Sequence, residues 1–153
     1  MDLKKIHHVA IIVSDYEVSR RFYVELLGFK VIRENYRPEK DDYKLDLELD
    51  GCELELFSGK HNPPRPSYPE ALGLRHLAFR VEDMDAAVRE LNEKGVDTEP
   101  VRMDQFTGRR MTFFHDPTAC RWNYMNEVKA VRPARIRSWY RAVIRFHRGT
   151  RYR

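Results

Sequence analysis

An α+β fold made of two βαβββ modules is what this sequence predicts, on three observations. The stretch His8-Val-Ala-Ile-Ile-Val-Ser-Asp15 returns as His76-Leu-Ala-Phe-Arg-Val-Glu-Asp83, with His, Ala, Val and Asp in the same four places. Each copy ends in an Asp that can cap a helix, and a helical pattern follows that stops at a glycine, Gly28 or Gly95. Each helical pattern leads into strand-like segments with a hairpin signal, Asp50-Gly51 in the first copy and Asp116-Pro117 in the second. A repeat with one His per copy points to two matched half-sites.

Ile6 to Val13 alternates as a strand, with Ile6, His8, Ala10 and Ile12 on one face and His7, Val9, Ile11 and Val13 on the other. Asp15 opens a helix whose apolar stripe is Val18, Phe22, Tyr23, Leu26 and Leu27, and Gly28 closes it. Phe29 to Ile32 reads as a second strand and Tyr36 to Tyr43 as a polar connection. Lys44 to Leu49 and Glu53 to Phe57 form the hairpin around Asp50-Gly51. Pro63, Pro64 and Pro66 exclude regular structure between the units. The second unit repeats the order: a strand from Leu74 to Val81 and a helix from Asp83 carrying Met84, Ala87, Val88 and Leu91. A strand near Thr98 to Arg102 follows, then a hairpin of Arg110 to Phe114 and Arg121 to Tyr124. The expected division is a domain over 1–126, with module one at about 5–59, a linker at 60–72 and module two at about 73–126, followed by a basic tail at 127–153 outside the domain.

The totals narrow the function classes. A chain of 153 residues can bury a real core. No apolar run approaches the roughly 20 residues of a membrane helix, and Met1 to Lys5 has no secretory character. Two cysteines, Cys52 and Cys120, make no disulfide framework, and a cytoplasmic protein is expected. The net charge of +4 is unevenly spread. From residue 118 onward there are ten Lys/Arg and one acid, Glu127, which leaves 18 basic and 23 acidic residues before it. Any nucleic-acid reading therefore concerns the tail alone, and its Pro133 and irregular aromatic spacing argue against a binding helix.

The chemistry-bearing residues follow from parity. Glu55 alternates with Leu54 and Leu56, so it faces away from the helix-side apolar layer, as His8 does. The interval from His8 to Glu55 is 47 residues, and the same interval from His76 ends at Asn123. If a pseudo-twofold relates the units, these four side chains converge, and two imidazoles with a carboxylate suit a first-row divalent metal. Glu53 shares the parity of Glu55 and is the fallback ligand, while His7 is out of phase and reads as structural. His115 reads as a loop residue, and Arg37, Lys40, Arg102, Arg109 and Arg110 as solvated charge that could meet an anionic substrate.

Four segments carry a resemblance over about residues 5–117: His7-His8-Val-Ala-Ile, Glu55-Leu-Phe, Gly73-Leu-Arg-His76-Leu-Ala-Phe and Phe113-Phe-His-Asp-Pro117. The pattern resembles the vicinal-oxygen-chelate superfamily, whose glyoxalase I fold pairs βαβββ modules, and within it a short bacterial glyoxalase-like subgroup. The resemblance implies a metal held by two His and two Glu, which map onto His8, Glu55, His76 and position 123, the last Glu moving the substrate proton. It implies one divalent metal (Ni, Co or Zn first, with Mn or Fe as further candidates), a small vicinal-oxygen substrate such as a thiol hemithioacetal, and a homodimer. A metal-free binding protein, or an Fe(II) dioxygenase-like site of two His and one carboxylate, are the alternatives.

The departure lies after Pro117. Where the family pattern continues Asp-Gly, a few residues, then Glu-Leu-Tyr-Glu and soon stops, this chain has Thr118-Ala-Cys-Arg-Trp-Asn-Tyr-Met-Asn126. Codons for Asp-Gly-Leu-Pro-Leu-Glu-Leu-Tyr-Glu and a stop, read after losing the leading G, can spell that replacement, and the tail would then be read-through. Asn123 can offer a carbonyl oxygen but cannot take up a proton as a base. Only Glu55 remains as the catalytic carboxylate, so weak or absent turnover is expected. Trp122 and Tyr124 keep apolar side chains on the helix-facing side, so the strand is expected to survive.

Overall fold

The computed structural model describes residues 2, 4–59, 61–66 and 68–126, so the expectations for the tail at 127–153 lie outside the described residues. The first unit is β1 (His8–Val13), α1 (Tyr16–Arg21) with a π-helical turn at Phe22–Leu26, β2 (Lys30–Arg37), β3 (Asp42–Leu49) and β4 (Cys52–Ser58). The second is β5 (Leu77–Val81), α2 (Met84–Glu93), β6 (Arg102–Met103), β7 (Arg110–His115) and β8 (Arg121–Asn126). The strands form two four-stranded sheets of equivalent order, β1-β4-β3-β2 and β5-β8-β7-β6, with the first pair of each parallel and the rest antiparallel. This is the α+β fold of paired βαβββ modules. No helix among the described residues is long and apolar enough to cross a membrane.

Local chemistry sets the boundaries. The Asp15 carboxylate accepts from the Val18 backbone N–H at 2.9 Å, and Asp83 accepts from that of Ala86 at 3.0 Å, so both caps supply partners for otherwise unpaired helix N–H groups. The π turn, closed by Leu27 N–H on the Phe22 carbonyl at 3.0 Å, places Phe22 and Tyr23 side by side in the core. Asp50 and Gly51 have φ of 49° and 75°, which is the two-residue turn that matches strand twist.

Several boundaries differ from the pattern reading. Tyr36 and Arg37 belong to β2 and Asp42 and Tyr43 to β3, leaving only 38–41 as a connection. A fork of Arg37 on Asp42, at 2.7 and 2.5 Å, and stacking of Tyr43 on Tyr16 stabilise strand ends that composition alone marks as loop. In the second unit β5 begins at Leu77 rather than Leu74, and the strand expected near Thr98 is reduced to one bridge to Phe114 followed by β6.

One core serves both units. It contains Val13, Phe22, Tyr23, Phe29, Leu45, Leu47, Leu54 and Leu56 from the first and Leu91, Val96, Phe114 and Trp122 from the second. Tyr23 packs edge-on against Trp122 and Phe29 edge-on against Phe79, which itself stacks on Trp122. The Tyr23 hydroxyl donates to Asp116 Oδ2 at 2.6 Å, while Asp116 Oδ1 accepts from the Thr118 and Cys120 backbone N–H groups. Burial pushes the Asp116 carboxyl up, and these donors act against that. Within the same hairpin Ala119 has φ of 66°, a left-handed position that suits glycine.

Two stability outcomes are expected. Tyr23→Phe removes a donor from a buried carboxylate and costs about 1–3 kcal/mol in urea unfolding; an unchanged midpoint would mean that the contact contributes nothing. Ala119→Gly relieves the left-handed strain and raises stability by about 1 kcal/mol, less whatever chain entropy glycine adds.

Candidate metal centre

The first half-site is built by strand register. In the parallel ladder Ala10 lies opposite Glu55 and His8 opposite Glu53, and β3 sets Asp46 opposite Glu55 and Glu48 opposite Glu53. Leu54 and Leu56 alternate with the two glutamates and face the core, so the polar set occupies the other face. There His8 Nε2 lies 3.8 Å from Glu55 Oε2. Lys44 Nζ bridges Glu55 Oε1 at 2.7 Å and Asp46 Oδ1 at 2.8 Å. Asp46, only 1% exposed, also takes the Arg33 guanidinium at 2.9 Å. Burial alone would raise the Asp46 carboxyl, but hydrogen bonds from Lys44 and Arg33 outweigh it and hold the group below the usual carboxylate range. Among the described residues, Asp46, Glu53 and Glu55 are the carboxylates whose oxygens come within 4.8 Å of one another and could hold an ion.

The second half-site sits in the same place of the second sheet. Ala78 lies opposite Asn123 in the β5–β8 ladder, as Ala10 does opposite Glu55, and His76 precedes Ala78 by two residues, as His8 precedes Ala10. Asn123 is 1% exposed; its Nδ2 donates to the Thr112 carbonyl at 3.0 Å, and its Oδ1 has no hydrogen-bond partner among the described residues. His76 Nδ1 is likewise buried and unpartnered, and its ring meets Phe113 edge-on at 5.3 Å. Burial lowers the His76 pKa and the positive charges of Arg75 and Arg121 lower it further, so the imidazole is held neutral. A neutral imidazole nitrogen and an amide oxygen, both buried and both unpaired, are the atoms a cation would satisfy.

The His8–Glu55 face and the His76–Asn123 face each lie on the side of their sheet away from the shared core, and His76 is not part of the carboxylate group around Glu55. His7 precedes β1, with its Nδ1 2.9 Å from that of His8. Of the arginines considered for an anionic substrate, Arg37 is committed to Asp42 and Arg110 to Asp85, while Arg102 lies over the Phe113 ring. Sequence reasoning missed Arg33, Lys44 and Asp46. The signal was present, since Lys44, Asp46 and Glu48 alternate with Leu45, Leu47 and Leu49 in phase with Glu53 and Glu55.

The model of the Glyoxalase/Bleomycin resistance protein/Dioxygenase superfamily matches residues 5–124. The chain belongs to this superfamily. It is 60% identical over 118 residues to the uncharacterized protein YwkD of Bacillus subtilis, covering 76% of this chain and 92% of that one. It is 29% identical over 125 residues to human mitochondrial methylmalonyl-CoA epimerase, covering 78% and 70% respectively. Among solved structures, the glyoxalase family protein from Enterococcus faecalis superposes with a TM-score of 0.78 at 57% identity, over 82% of this chain and 99% of that one. Members of this superfamily often bind a divalent metal and small molecules, and the acidic group at Asp46, Glu53 and Glu55 could hold a metal here.

The charge network has a pH signature. Asp46 has a folded-state pKa below its unfolded value, so its stabilisation is present above about pH 4 and is lost as pH falls through the lower folded value. Asp46→Asn should flatten the acid limb of stability against pH below about pH 4. A limb of unchanged slope in that variant would show that the buried pair does not supply it.

Proposed function

We propose that this protein is a divalent-metal-dependent lyase or isomerase that moves a proton on a small substrate bearing two neighbouring oxygens. Each metal centre would be shared between two copies in a homodimer. The observation that carries the reading is the matched register: Ala10 opposite Glu55 with His8 two residues back, and Ala78 opposite Asn123 with His76 two residues back. One half offers an imidazole and a carboxylate 3.8 Å apart, and the other offers two buried polar atoms without partners among the described residues. Because both faces point away from the core, a second copy can bring the partner subunit's His76 and Asn123 against His8 and Glu55. That donor set fits Ni, Co or Zn and tolerates Mn or Fe.

A divalent ion in this setting supplies Lewis acidity toward two adjacent substrate oxygens. The chain's own residues do the rest. Lys44 holds Glu55 through Oε1 and leaves Oε2 on the His8 side, where it can take up a proton next to a carbonyl. Lys44 itself is held protonated, first by its bond to Asp46 and then by that to Glu55, so it orients the carboxylate and does not compete as a base. Asn123 cannot share the proton traffic, so turnover in this chain is weak. A thiol hemithioacetal is the first substrate class to test. The resemblance to an epimerase that acts on methylmalonyl-CoA favours an α-proton transfer on an acyl thioester as the second.

Metal content and turnover test this directly. The chain as it stands should retain about one metal per protomer, lost in His8→Ala, and Asn123→Glu should raise turnover by roughly 10²–10⁴-fold. Metal in neither protein would favour a metal-free binding protein, and oxygen uptake with a catechol and Fe(II) would favour the dioxygenase-like alternative. Mixing His8→Ala with His76→Ala protomers should restore metal binding that neither variant has alone, because one of the two shared centres in the mixed dimer is intact. Failure of mixing to restore metal in a dimer that does exchange would remove the shared-centre arrangement.

A further inference from the structure

We propose that a cavity beside the second half-site is an anion subsite that takes a carboxylate or phosphate group of the ligand. The cavity, about 230 Å³, lies between the connection joining the two units and the β7–β8 hairpin. Its wall brings three guanidiniums together from separate places in the chain, Arg65, Arg75 and Arg121, with His115, Glu70 and Glu99.

The carboxylates do not cancel the cations. Arg75 Nε lies 3.0 Å from Glu70, and Arg121 Nη2 lies 2.8 Å from one oxygen of Glu99. The other oxygen of Glu99 is taken by Arg102, also at 2.8 Å. The Arg65 guanidinium donates to the Leu74 backbone carbonyl, a neutral partner. Three arginines therefore line the cavity against two glutamates, of which Glu99 is shared with Arg102 outside it and Glu70 also lies 4.0 Å from Arg121 Nη1, and a guanidinium carries five N–H donors, of which these contacts use one or two. Such forks match the planar carboxylate and the phosphate in geometry as well as charge. The volume falls below the roughly 300–1,000 Å³ of pockets that hold a whole drug-sized ligand, so a charged group with a short stem fits and a nucleotide does not.

The cavity is linked to the half-site by side-chain contacts. Arg121 is two residues from Asn123 on the same face of β8, and its guanidinium lies 3.7 Å over the Phe113 ring, which the His76 ring meets at 5.3 Å. An anion held at Arg75 and Arg121 would thus sit at one end of a molecule whose oxygens reach His76. The identification of that anion as the substrate's tail rests on the proton-transfer reading above, whereas the anion binding itself needs no metal.

The experiment is calorimetric titration of the full chain, stripped of metal with EDTA, using inorganic phosphate and succinate in separate arms at low ionic strength. Saturable binding is expected, weakened roughly tenfold or more by Arg75→Gln and by Arg65→Gln, and unchanged by Arg20→Ala on the far helix. The arm with the tighter binding identifies the group. Arg65→Gln is included because it gives up only a backbone contact, and circular dichroism would confirm that each variant is folded. No saturable binding in either arm, or equal affinity in the folded arginine variants, overturns the subsite. Phosphate binding by a stripped chain that then takes up no divalent metal on titration with Ni, Co or Zn would instead count against the proton-transfer reading and leave the subsite standing.

Discussion

The rest of the structure depends on the burial of aromatic rings between two sheets that belong to different repeats. Phe22, Tyr23 and Phe29 leave the first unit and meet Phe79, Phe114 and Trp122 of the second in edge-on and tilted contacts. Every strand residue committed to that core fixes the direction of its neighbours by the two-residue period of a strand. Leu54 and Leu56 inward place Glu55 outward; Phe114 and Trp122 inward place Phe113 and Asn123 outward. The site faces are thus a by-product of where the core is, each on the side of its sheet that the core leaves free.

The two half-sites share a geometry and differ in chemistry. The first is an ionic mesh in which Asp46, Glu53 and Glu55 are held by Lys44 and Arg33. The second is drier, with Phe113 covered by Arg121 and Arg102, and it presents unpaired polar atoms rather than charges. Buried polar atoms without partners are costly, so a native fold tends to keep them where something external satisfies them. In the first half Lys44 already bridges Glu55 and Asp46, and an incoming cation would have to share Glu55 with an ammonium.

The repeat made most of this fold legible in the sequence. Asp15 and Asp83 as caps, Gly28 and Gly95 as stops and Asp50-Gly51 as a turn are local decisions, made by atoms within a few residues, and each appears where expected. Boundaries held by tertiary partners were not legible: the Arg37–Asp42 fork and the Tyr16–Tyr43 stack lengthen β2 and β3 through residues that composition assigns to a loop. The site was partly legible for a similar reason. Parity and an equal interval identify His8, Glu55, His76 and Asn123 as equivalents, because a strand converts sequence spacing into direction. Neither parity nor interval reveals that Lys44 bridges two carboxylates, or that Arg65, Arg75 and Arg121 converge across a connection rich in proline.

The shared core also changes the meaning of the segment between the repeats. Since rings from both units interlock, and Lys94 Nζ of the second reaches the Leu26 carbonyl of the first at 2.8 Å, neither repeat buries its apolar face alone. The connection then acts as a tether that keeps the two halves at a high effective concentration, while the recognition between them is written in the rings. Interlocked through the core, the two halves can still carry different free faces, carboxylates around Glu55 on one and the arginines over Phe113 on the other.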